Sequence, residues 1–300
     1  MGKDYRKKEH FDKKYELSPH TVLKGRYVIE SSLKMGGFGI TYLALDTEQQ
    51  ITVAIKEMFL REISNREQGL AIYIDEEDQC CYEESKKRFL NEARILEMLC
   101  NDDTLGIVAV LDYFEENNTA YIVMEYLEGE TLKEKVKKKA LSFSETMELM
   151  GPVANSLSKI HKRKIVHLDI SPDNIMILHD GKAKLLDFGV AKNIGHKDSS
   201  GQLLFKKGYA PLEQRRASGQ IGEWTDVFSF AATIYYCLTG KKPEDIWERM
   251  VGVDLEPPSS VGVSLPVIAE EAIMKALELD SSKRFQTVDD FWRALNTNDD

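Results

Sequence analysis

The hydrophobic residues of this 300-residue chain change their period near Gly129, and this change constrains the fold more than any other feature. Before it, β-forming residues alternate or cluster in "RYVIESSL", "ITYLALD" and "ITVAIKEM", which are separated by the glycine-rich "MGGFG" and the polar "TEQQ". Alternation that is broken by turn residues predicts three antiparallel strands between residue 26 and about residue 57. The chain therefore begins with a β-rich part.

One helix and two further strands complete the part of the chain before Gly129. In "EESKKRFLNEARILEMLC", the residues Phe89, Ala93, Leu96 and Cys100 recur at the spacing of one helical face. The apolar runs "GIVAVLDYF" and "TAYIVMEYL" then return to strand character. These segments predict a small sheet with one packed helix.

After Gly129 the pattern becomes mostly helical. Ser142 and Glu145 have the spacing of a capping box, in front of apolar residues that recur every three or four positions. These apolar residues are Leu149, Val153, Leu157 and Ile160. A β-rich patch interrupts the helical part at "IVHLDI", "IMIL" and "AKLLDF".

Composition excludes several classes of protein. With 42% hydrophobic residues the chain can bury a large core, and 50 acidic against 40 basic residues give a net charge of -10. This balance argues against a broad nucleic-acid surface or contact with an anionic membrane, so any phosphate must be held locally.

Neither disulfides nor membrane segments are expected. The cysteines Cys80, Cys81, Cys100 and Cys237 lack C-x-x-C spacing, and two of them are adjacent, which indicates a reducing, cytoplasmic compartment. The longest apolar run, residues 227–238, contains Ser and Thr and predicts a buried helix.

Two features of the β-rich part suit phosphate binding. The "MGGFG" turn lets backbone N–H groups approach phosphates, although a glycine-rich hairpin turn is the commoner explanation. Lys56 in "VAIKE" lies on a strand, and Glu92 on the neighbouring helix can reach it as an ion pair. Taken singly, a solvated lysine and a surface carboxylate explain these two residues equally well.

Three oxygen-bearing side chains occur in the β-rich patch of the second part. Asp169 and Asn174 lie on one loop, "HLDISPDN", and Asp187 follows a short apolar run in "LLDFG". Carboxylate and amide oxygens are hard ligands suited to magnesium and its bound phosphates. A single Asp at a turn is more often a cap, so the ordered set carries the prediction.

In chain order, "GGFG", "VAIK", "NEARIL", "HLDISPDN", "DFG" and "APLE" resemble the signature motifs of the eukaryotic-like protein kinases, most closely the bacterial serine/threonine kinases. The resemblance runs from about residue 24 to residue 295 and includes Asp226 and Arg284. It implies a bilobal α+β fold, with a small antiparallel sheet lobe carrying one main helix and a larger, mostly helical lobe.

The resemblance also implies domain boundaries. We expect a flexible charged arm over 1–23, an ATP-binding N-lobe over 24–127, a catalytic and substrate-binding C-lobe over 128–297 and a tail over 298–300. The C-lobe ends so near residue 300 that the chain also fits the cytoplasmic part of a longer, membrane-anchored protein.

Catalytic roles follow from the resemblance residue by residue. Lys56 would hold the α- and β-phosphates of ATP while Glu92 orients it, and Asp169 would accept a hydrogen bond from the attacking hydroxyl. Asn174 and Asp187 would bind Mg²⁺, or Mn²⁺ in its place.

The remaining implied residues bind nucleotide or stabilise the kinase structure. The phosphate loop comprises Gly36, Gly37, Phe38 and Gly39. Thr41, Ala54 and Met176 would enclose adenine, and Met124, Glu125, Tyr126 and Leu127 would form the gatekeeper and hinge. Leu96, Val110, His167 and Phe188 would form a stacked core, and Glu213 and Arg284 a buried ion pair.

Two departures from the family pattern concern the N-lobe. Lys34 replaces the first glycine of the phosphate loop, while Gly36 and Gly39 are retained. The connection between Lys56 and Glu92 is unusually long, and its excess, residues 61–84, is expected to be a surface excursion, with a partner site as the alternative.

Two further departures lie in the catalytic loop. Leu168 replaces an Arg that in many relatives pairs with a phosphorylated activation loop, so we predict activity without such phosphorylation. Ser171 replaces a Lys that neutralises the γ-phosphate, a contact worth about 2–4 kcal/mol by analogy with an oxyanion-hole donor. Lys206, at a position that is usually Thr, is a candidate to replace that lysine; Ser199 and Ser200 are the hydroxyls left for phosphorylation ahead of it.

Three function classes are compatible with these observations. An ATP- and magnesium-dependent protein kinase acting on Ser/Thr hydroxyls is favoured because Lys56, Glu92, Asp169, Asn174 and Asp187 are all present. A pseudokinase that senses nucleotide as a scaffold is the alternative. The "DFG" and "APLE" motifs argue against a small-molecule kinase. The implied partners are ATP and protein substrates.

Overall fold

The computed structural model describes residues 15–36, 39–66, 69–100, 106–187, 192–193, 205–216 and 219–297. These residues form two compact units. One, here called the sheet unit, holds the described residues up to 100 together with Val108–Leu127. The other, the helical unit, holds residues 106–107 and the described residues from Glu128 onward.

A six-stranded antiparallel sheet forms the sheet unit, in the strand order β1-β2-β3-β4-β6-β5. The strands are β1 (Val22–Leu23), β2 (Tyr27–Met35), β3 (Gly39–Asp46), β4 (Ile51–Met58), β5 (Val110–Glu116) and β6 (Thr119–Glu125). Helix α1 (Gln79–Cys100) packs against β5 and β6, and buries Phe89, Ala93 and Leu96. The predicted helix and five predicted strands are confirmed, and β1 was not predicted.

The two faces of this sheet differ in burial. Along β3, the side chains of Ile40, Tyr42 and Ala44 are fully buried, and the residues between them are only half-buried. Because strand side chains alternate between faces, the neighbours Lys56 and Glu57 on β4 point to opposite sides of the sheet. Glu57 lies on the buried side and Lys56 on the more open one.

Residues 15–23 differ from the flexible arm expected there. They pack on the sheet, because β1 pairs with β2 and the side chains of Leu17 and Leu23 are buried. The backbone N–H of Leu17 also donates to the hydroxyl of Tyr42 at 3.1 Å. The rest of the predicted arm, residues 1–14, lies outside the described residues.

Most described residues of the predicted insert, residues 61–84, are exposed or half-buried, but some of its side chains are buried. Arg66 and Ile72 within it are buried in the sheet unit, and its last six residues belong to α1, which begins at Gln79. The buried carboxylate of Glu57 accounts for this packing, since a buried charge requires a partner and Arg66 is that partner.

The helical unit contains two small sheets, in the strand orders β10-β9-β7 and β11-β8. Its strands are β7 (Gly129–Thr131), β8 (Ile165–Val166), β9 (Ile175–Leu178), β10 (Ala183–Leu185) and β11 (Lys192–Asn193). Its helices are α2 (Leu132–Lys138), α3 (Phe143–Lys162), α4 (Leu212–Arg215), α5 (Glu223–Thr239), α6 (Ile246–Met250), α7 (Val267–Ala276) and α8 (Val288–Leu295). Short 3-10 helices cover Pro172–Asn174, Pro258–Val261 and Ser281–Lys283.

The core of the helical unit forms around α5, where α3, α7 and α8 pack. The predicted capping box of Ser142 and Glu145 opens α3, and the apolar run over residues 227–238 is buried within α5, as predicted. Phe230 of α5 meets Phe291 of α8 edge to face, with ring centroids 6.0 Å apart. This core supports the loops that carry the candidate site.

Membrane-spanning helices and disulfides are not found in the described part of the chain. None of its helices has the length and apolar composition needed to span a bilayer. Cys80 and Cys81 are exposed free thiols, and Cys237 is a buried one.

Candidate active site

The open face of the sheet unit groups four of the predicted nucleotide-binding residues. Thr41 on β3 pairs directly with Lys56 on β4, and Ala54 pairs with Met124 on β6. Directly opposed residues in antiparallel strands project to the same side, and so do residues two positions apart on one strand. All four side chains therefore line one face.

Lys56 forms the predicted ion pair with Glu92 of α1. Its Nζ lies 3.0 Å from Oε1 and 3.3 Å from Oε2, and the two side chains are 13% and 3% exposed. The ammonium group also lies over the ring of Phe89, 5.5 Å from the centroid. Paired in this way, the lysine is held in one orientation on the open face.

The glycine-rich turn brings the backbones of β3 and β4 unusually close. Gly36 N donates to Gly39 O at 2.8 Å and closes the turn. A Cβ atom on Gly39 would lie 2.3 Å from the carbonyl oxygen of Glu57, a distance that only glycine avoids. Gly37 and Phe38 of the predicted phosphate loop lie outside the described residues.

The predicted hinge leaves the sheet at the end of β6. Glu125 is fixed by two hydrogen bonds to Ala109, one from its own N–H at 2.9 Å and one from Ala109 N to its carboxylate at 2.8 Å. Tyr126 and Leu127 follow it and are half-buried. Met176, predicted to meet adenine as well, lies in the helical unit, on β9.

Residues of the predicted stacked core occur in both units. Leu96 is fully buried in α1, and Val110 begins β5 in the sheet unit. His167 is fully buried in the helical unit. Phe188 lies outside the described residues.

The catalytic loop of the helical unit is held by a buried carboxylate. Asp226 accepts hydrogen bonds from the backbone N–H groups of His167 at 2.7 Å and Leu168 at 2.8 Å, and from His161 Nε2 at 2.8 Å. Burial acts to raise the pKa of Asp226, but these hydrogen bonds outweigh it and lower the pKa below its ordinary value. Leu168 has a φ of +65°, which is strained for a branched residue, and these contacts keep it there.

His167 contributes to the shape of the loop as a neutral ring. Burial lowers the pKa of its imidazole, so the ring is uncharged near neutral pH. Its Nε2–H donates to Leu186 O at 3.3 Å, and its Nδ1 accepts from Asp169 N at 3.3 Å. The backbone of Asp169 is thereby tied to the segment that precedes Asp187.

Asp169 has a one-sided hydrogen-bond pattern. Its Oδ2 accepts from Asn174 Nδ2 at 2.7 Å and from Lys206 Nζ at 2.9 Å, while no described residue donates to Oδ1. Its side chain is 25% exposed. Burial raises the pKa of the carboxyl above its ordinary value, Lys206 opposes this shift, and Asp187 adds to it. Of the two carboxylate oxygens, Oδ2 is therefore fixed by hydrogen bonds, and Oδ1 accepts none from the described residues.

Asn174 and Asp187 lie at the same end of the β9–β10 hairpin. Asn174 immediately precedes β9, and the backbone N–H of Leu186, the residue before Asp187, donates to Asn174 O at 2.8 Å. The side-chain N–H of Asn174 donates to Asp169, which turns its amide oxygen away from that residue. The hairpin thus places both residues at one end of the helical unit's β9–β10 pair.

These two groups fit a magnesium ion bound with phosphate. Mg²⁺ is commonly held by one or two carboxylates together with substrate phosphates and water, and does not need a cage made only of protein. Accordingly, within the described residues no cluster of three or more His, Cys, Asp or Glu side chains forms a metal site. The donors present are those that a phosphate-bound magnesium ion uses.

Lys206 contacts Ser171, the residue that stands where the related kinases have a lysine. Its Nζ donates to Ser171 Oγ at 2.9 Å as well as to Asp169. Ser171 is fully buried, so its hydroxyl is directed to Lys206 rather than to solvent. The sequence suggested Lys206 as a replacement for the missing lysine, but neither its contact with Ser171 nor its contact with Asp169 was predicted.

The segment after Lys206 is anchored by three polar contacts to the rest of the unit. Arg284 forms the predicted bidentate pair with Glu213, at 2.7 and 3.1 Å, and its side chain is fully buried. Gln214 donates to Leu168 O at 2.7 Å, and Arg215 pairs with Asp245 at 2.7 Å. Gln214 was missed because nothing in the sequence marks it apart from its place beside Glu213.

Comparison with known proteins bears directly on this site. A family model described as "Protein kinase domain" matches residues 27–250, which include every candidate residue named so far except Arg284. The chain is 32% identical to the serine/threonine-protein kinase PknA of Nostoc sp., with 91% of this chain and 47% of that protein covered. It is also 32% identical to the serine/threonine-protein kinase PrkC of Bacillus subtilis, with 92% of this chain and 41% of that protein covered. The chain thus spans less than half of the length of these relatives.

A solved structure is similar over nearly the whole chain. It is "PpkA-294 apo form", with a TM-score of 0.81 and 28% identity, covering 94% of this chain and 100% of that one. Together with the antiparallel sheet unit and the helical unit, this similarity confirms the predicted α+β, bilobal fold class.

Proposed function

The chain belongs to the protein kinase domain family, and from that premise we propose that it is an ATP- and magnesium-dependent protein kinase. It would transfer the γ-phosphoryl group to Ser or Thr hydroxyls of protein substrates. The observation that carries the proposal is the Asp169 carboxylate, whose Oδ2 is fixed by two donors while Oδ1 accepts from no described residue.

Asp169 would act as the acceptor for the proton of the substrate hydroxyl. The hydroxyl oxygen bonds to the γ-phosphorus, the bond from that phosphorus to the β–γ bridging oxygen breaks, and ADP leaves with the electron pair. The hydroxyl proton passes to Oδ1 of Asp169 and then to solvent. A pKa raised by burial makes this carboxylate a better base than an ordinary aspartate.

The open face of the sheet unit would bind the nucleotide. Lys56 is oriented by Glu92 to contact the α- and β-phosphates. We assign the rest of the ATP contacts to Gly36, Gly37, Phe38, Gly39, Thr41, Ala54, Met124, Glu125, Tyr126, Leu127 and Met176. Gly37 and Phe38 are included in this set only because of the sequence resemblance, since they lie outside the described residues.

Asn174 and Asp187 would hold the metal ion. A Mg²⁺ ion held there would neutralise negative charge on the phosphates of the nucleotide. The side chain of Asn174 would also position the proton acceptor, because its amide N–H donates a hydrogen bond to Asp169.

Control by loop phosphorylation would be weak in this chain. Leu168 is buried and apolar, so it offers no charge to a phosphorylated residue. Lys206 already binds Asp169 without such a modification. Ser199 and Ser200, the hydroxyls named from the sequence, lie outside the described residues. We propose that transfer proceeds without priming, within a reducing, cytoplasmic compartment.

A transfer assay with γ-labelled ATP and magnesium tests the proposal. Labelled phosphate should appear on Ser and Thr of a generic basic protein substrate, and both Asp169→Asn and Lys56→Met should abolish labelling. Phosphatase treatment beforehand should leave the parent rate unchanged. A parent chain that ATP stabilises against heat, but that transfers no phosphate, would instead be a nucleotide-sensing scaffold.

A further inference from the structure

The cation beside the proton acceptor comes from a different segment than the catalytic loop. Lys206 Nζ lies 2.9 Å from Asp169 Oδ2 and 2.9 Å from Ser171 Oγ. Its side chain is 33% exposed and that of Asp169 is 25% exposed, so the pair is at the edge of the site rather than inside the core. Both side chains of the pair thus retain exposed surface.

The backbone around Lys206 is fixed as firmly as that of the catalytic loop. Its carbonyl oxygen accepts from Tyr209 N at 3.0 Å and Ala210 N at 3.1 Å, which closes a tight turn. Gly208 within this turn has a φ of +86°, and a Cβ atom there would lie 2.8 Å from Pro243 O. Only glycine fits that position, so the turn that presents Lys206 is well specified.

At positions 171 and 206, this chain has the side-chain types of the related kinases in exchanged order. The resemblance leads us to expect Lys at position 171 and Thr at position 206, and this chain has a hydroxyl at the first and an ammonium group at the second. The buried Ser171 hydroxyl accepts from the lysine, so the exchanged residues contact each other. The expected cation is therefore still present, but it comes from position 206 instead of 171. The expected hydroxyl comes from position 171 instead of 206.

We infer that Lys206 supplies the positive charge of the transfer site that the catalytic loop lacks at Ser171. The inference rests on the proposed phosphoryl transfer. During that transfer the ammonium group holds Oδ2 of Asp169 and offers a cation to the anionic phosphoryl group.

A consequence concerns regulation. Lys206 lies on the segment that also contains Glu213 and Gln214, whose contacts fix it to Arg284 and to the loop at Leu168. Displacement of this segment would remove the cation from Asp169 without a phosphate group as an intermediary.

An exchange of the two residues tests the inference. Lys206→Thr should lower kcat on the order of 10²–10³-fold, as expected for one lost charged donor, while ATP binding is retained. Ser171→Lys combined with Lys206→Thr should recover most of the lost rate, because the cation returns from the other position. Lys207→Thr, at the exposed neighbouring lysine, is the matched control and should match the parent.

Recovery of kcat in the double variant separates a charge effect from a folding effect, because the returned cation restores the rate only if charge was what the site had lost. The midpoint of thermal unfolding should stay close to that of the parent in Lys206→Thr, in the double variant and in Lys207→Thr. If Lys206→Thr unfolds, Lys206→Met keeps the apolar stem and serves as the second variant.

The outcomes distinguish the inference from the function on which it rests. A parent that binds ATP without transferring phosphate overturns both. A parent that transfers phosphate, with Lys206→Thr equal to Lys207→Thr in rate, overturns the inference alone. Loss in Lys206→Thr without any recovery in the double variant assigns Lys206 a structural role and also overturns it.

Discussion

Two carboxylates of this protein each contact a basic side chain from outside their own strand or loop, but their oxygen atoms accept different sets of hydrogen bonds. In the sheet unit, Glu57 is fully buried; Arg66 and Tyr121 donate to Oε1, and Tyr42 donates to Oε2. In the helical unit, Asp169 is partly exposed and only Oδ2 accepts hydrogen bonds from described residues. A carboxylate occupied on both oxygens stabilises the fold, and one occupied on a single oxygen can still accept a proton.

The basic partners differ in the same way. Arg66 also donates to the backbone carbonyls of Tyr15 and Leu70, so it joins β4, the N-terminal segment and the insert. Lys206 donates to the carboxylate and to one hydroxyl, and a third of its side chain remains exposed. The planar fork of Arg suits the closed cluster, and the flexible ammonium of Lys suits the open one.

Among variants of these two carboxylates and their partners, Asp169→Asn should have the largest effect, a loss of phosphoryl transfer. The amide has the shape of the carboxylate but cannot take a proton, so the rate should fall by about 10²–10⁴-fold. The midpoint of thermal unfolding should stay close to that of the parent. A rate within a few-fold of the parent would show that Asp169 is not the proton acceptor.

The next largest effect is on stability, in Arg66→Met. Removing the guanidinium leaves Glu57 as an unpaired buried charge, which costs about 3–5 kcal/mol in the free energy of unfolding. Urea unfolding measures this loss. As a control, Arg88→Met in α1 removes an exposed arginine that is 3.7 Å from Glu84, and should cost less than about 1 kcal/mol. Equal losses in the two variants would contradict the structural role of Arg66.

The pH dependence of activity should reflect the open site. Because burial raises the pKa of Asp169, the base becomes protonated at a higher pH than an ordinary aspartate, and transfer is lost as pH falls through that raised pKa. The kcat profile of the parent measures the position of this acid limb. A limb at or below the ordinary aspartate pKa of about 3.8 would exclude Asp169 as the titrating base.

The smallest effects come from removing one hydrogen bond at each carboxylate. Tyr121→Phe should cost about 1 kcal/mol of stability and leave the transfer rate unchanged. Ser171→Ala, which removes the hydroxyl partner of Lys206, should lower the transfer rate by less than about tenfold and leave stability unchanged. Urea unfolding and initial rates on both variants test the pair, and an interchange of the two results would contradict the assignment.

Sequence periodicity predicted most of the fold because the buried faces follow regular spacing. The residues Phe89, Ala93 and Leu96 mark α1 through the helical period, and the alternation in "ITVAIKEM" marks β4. Most described residues of the insert are exposed or half-buried, but the burial of Arg66 within it was not predicted. The signal for that burial was Glu57, which the strand period places on the same face as Ile55 and which needs a cation.

The candidate site was predictable where motifs specify both residue and partner. Lys56 with Glu92, and Glu213 with Arg284, were named from the sequence and form ion pairs. The contact of Lys206 with Asp169 spans 37 positions and depends on how two loops pack, which no local pattern contains. Tertiary packing therefore had to be known before the cation could be assigned.

The most direct test removes the charge of Glu57 or of Asp169 and measures both stability and transfer rate in each variant. Glu57→Gln and Asp169→Asn are each measured for free energy of unfolding and for the single-turnover transfer rate per folded, nucleotide-bound molecule. We predict that Glu57→Gln loses about 3–5 kcal/mol of stability while its rate stays within a few-fold of the parent, and that Asp169→Asn loses its rate and keeps its stability. Loss of both quantities in both variants, or of rate in Glu57→Gln alone, would contradict the division of a structural and a chemical carboxylate.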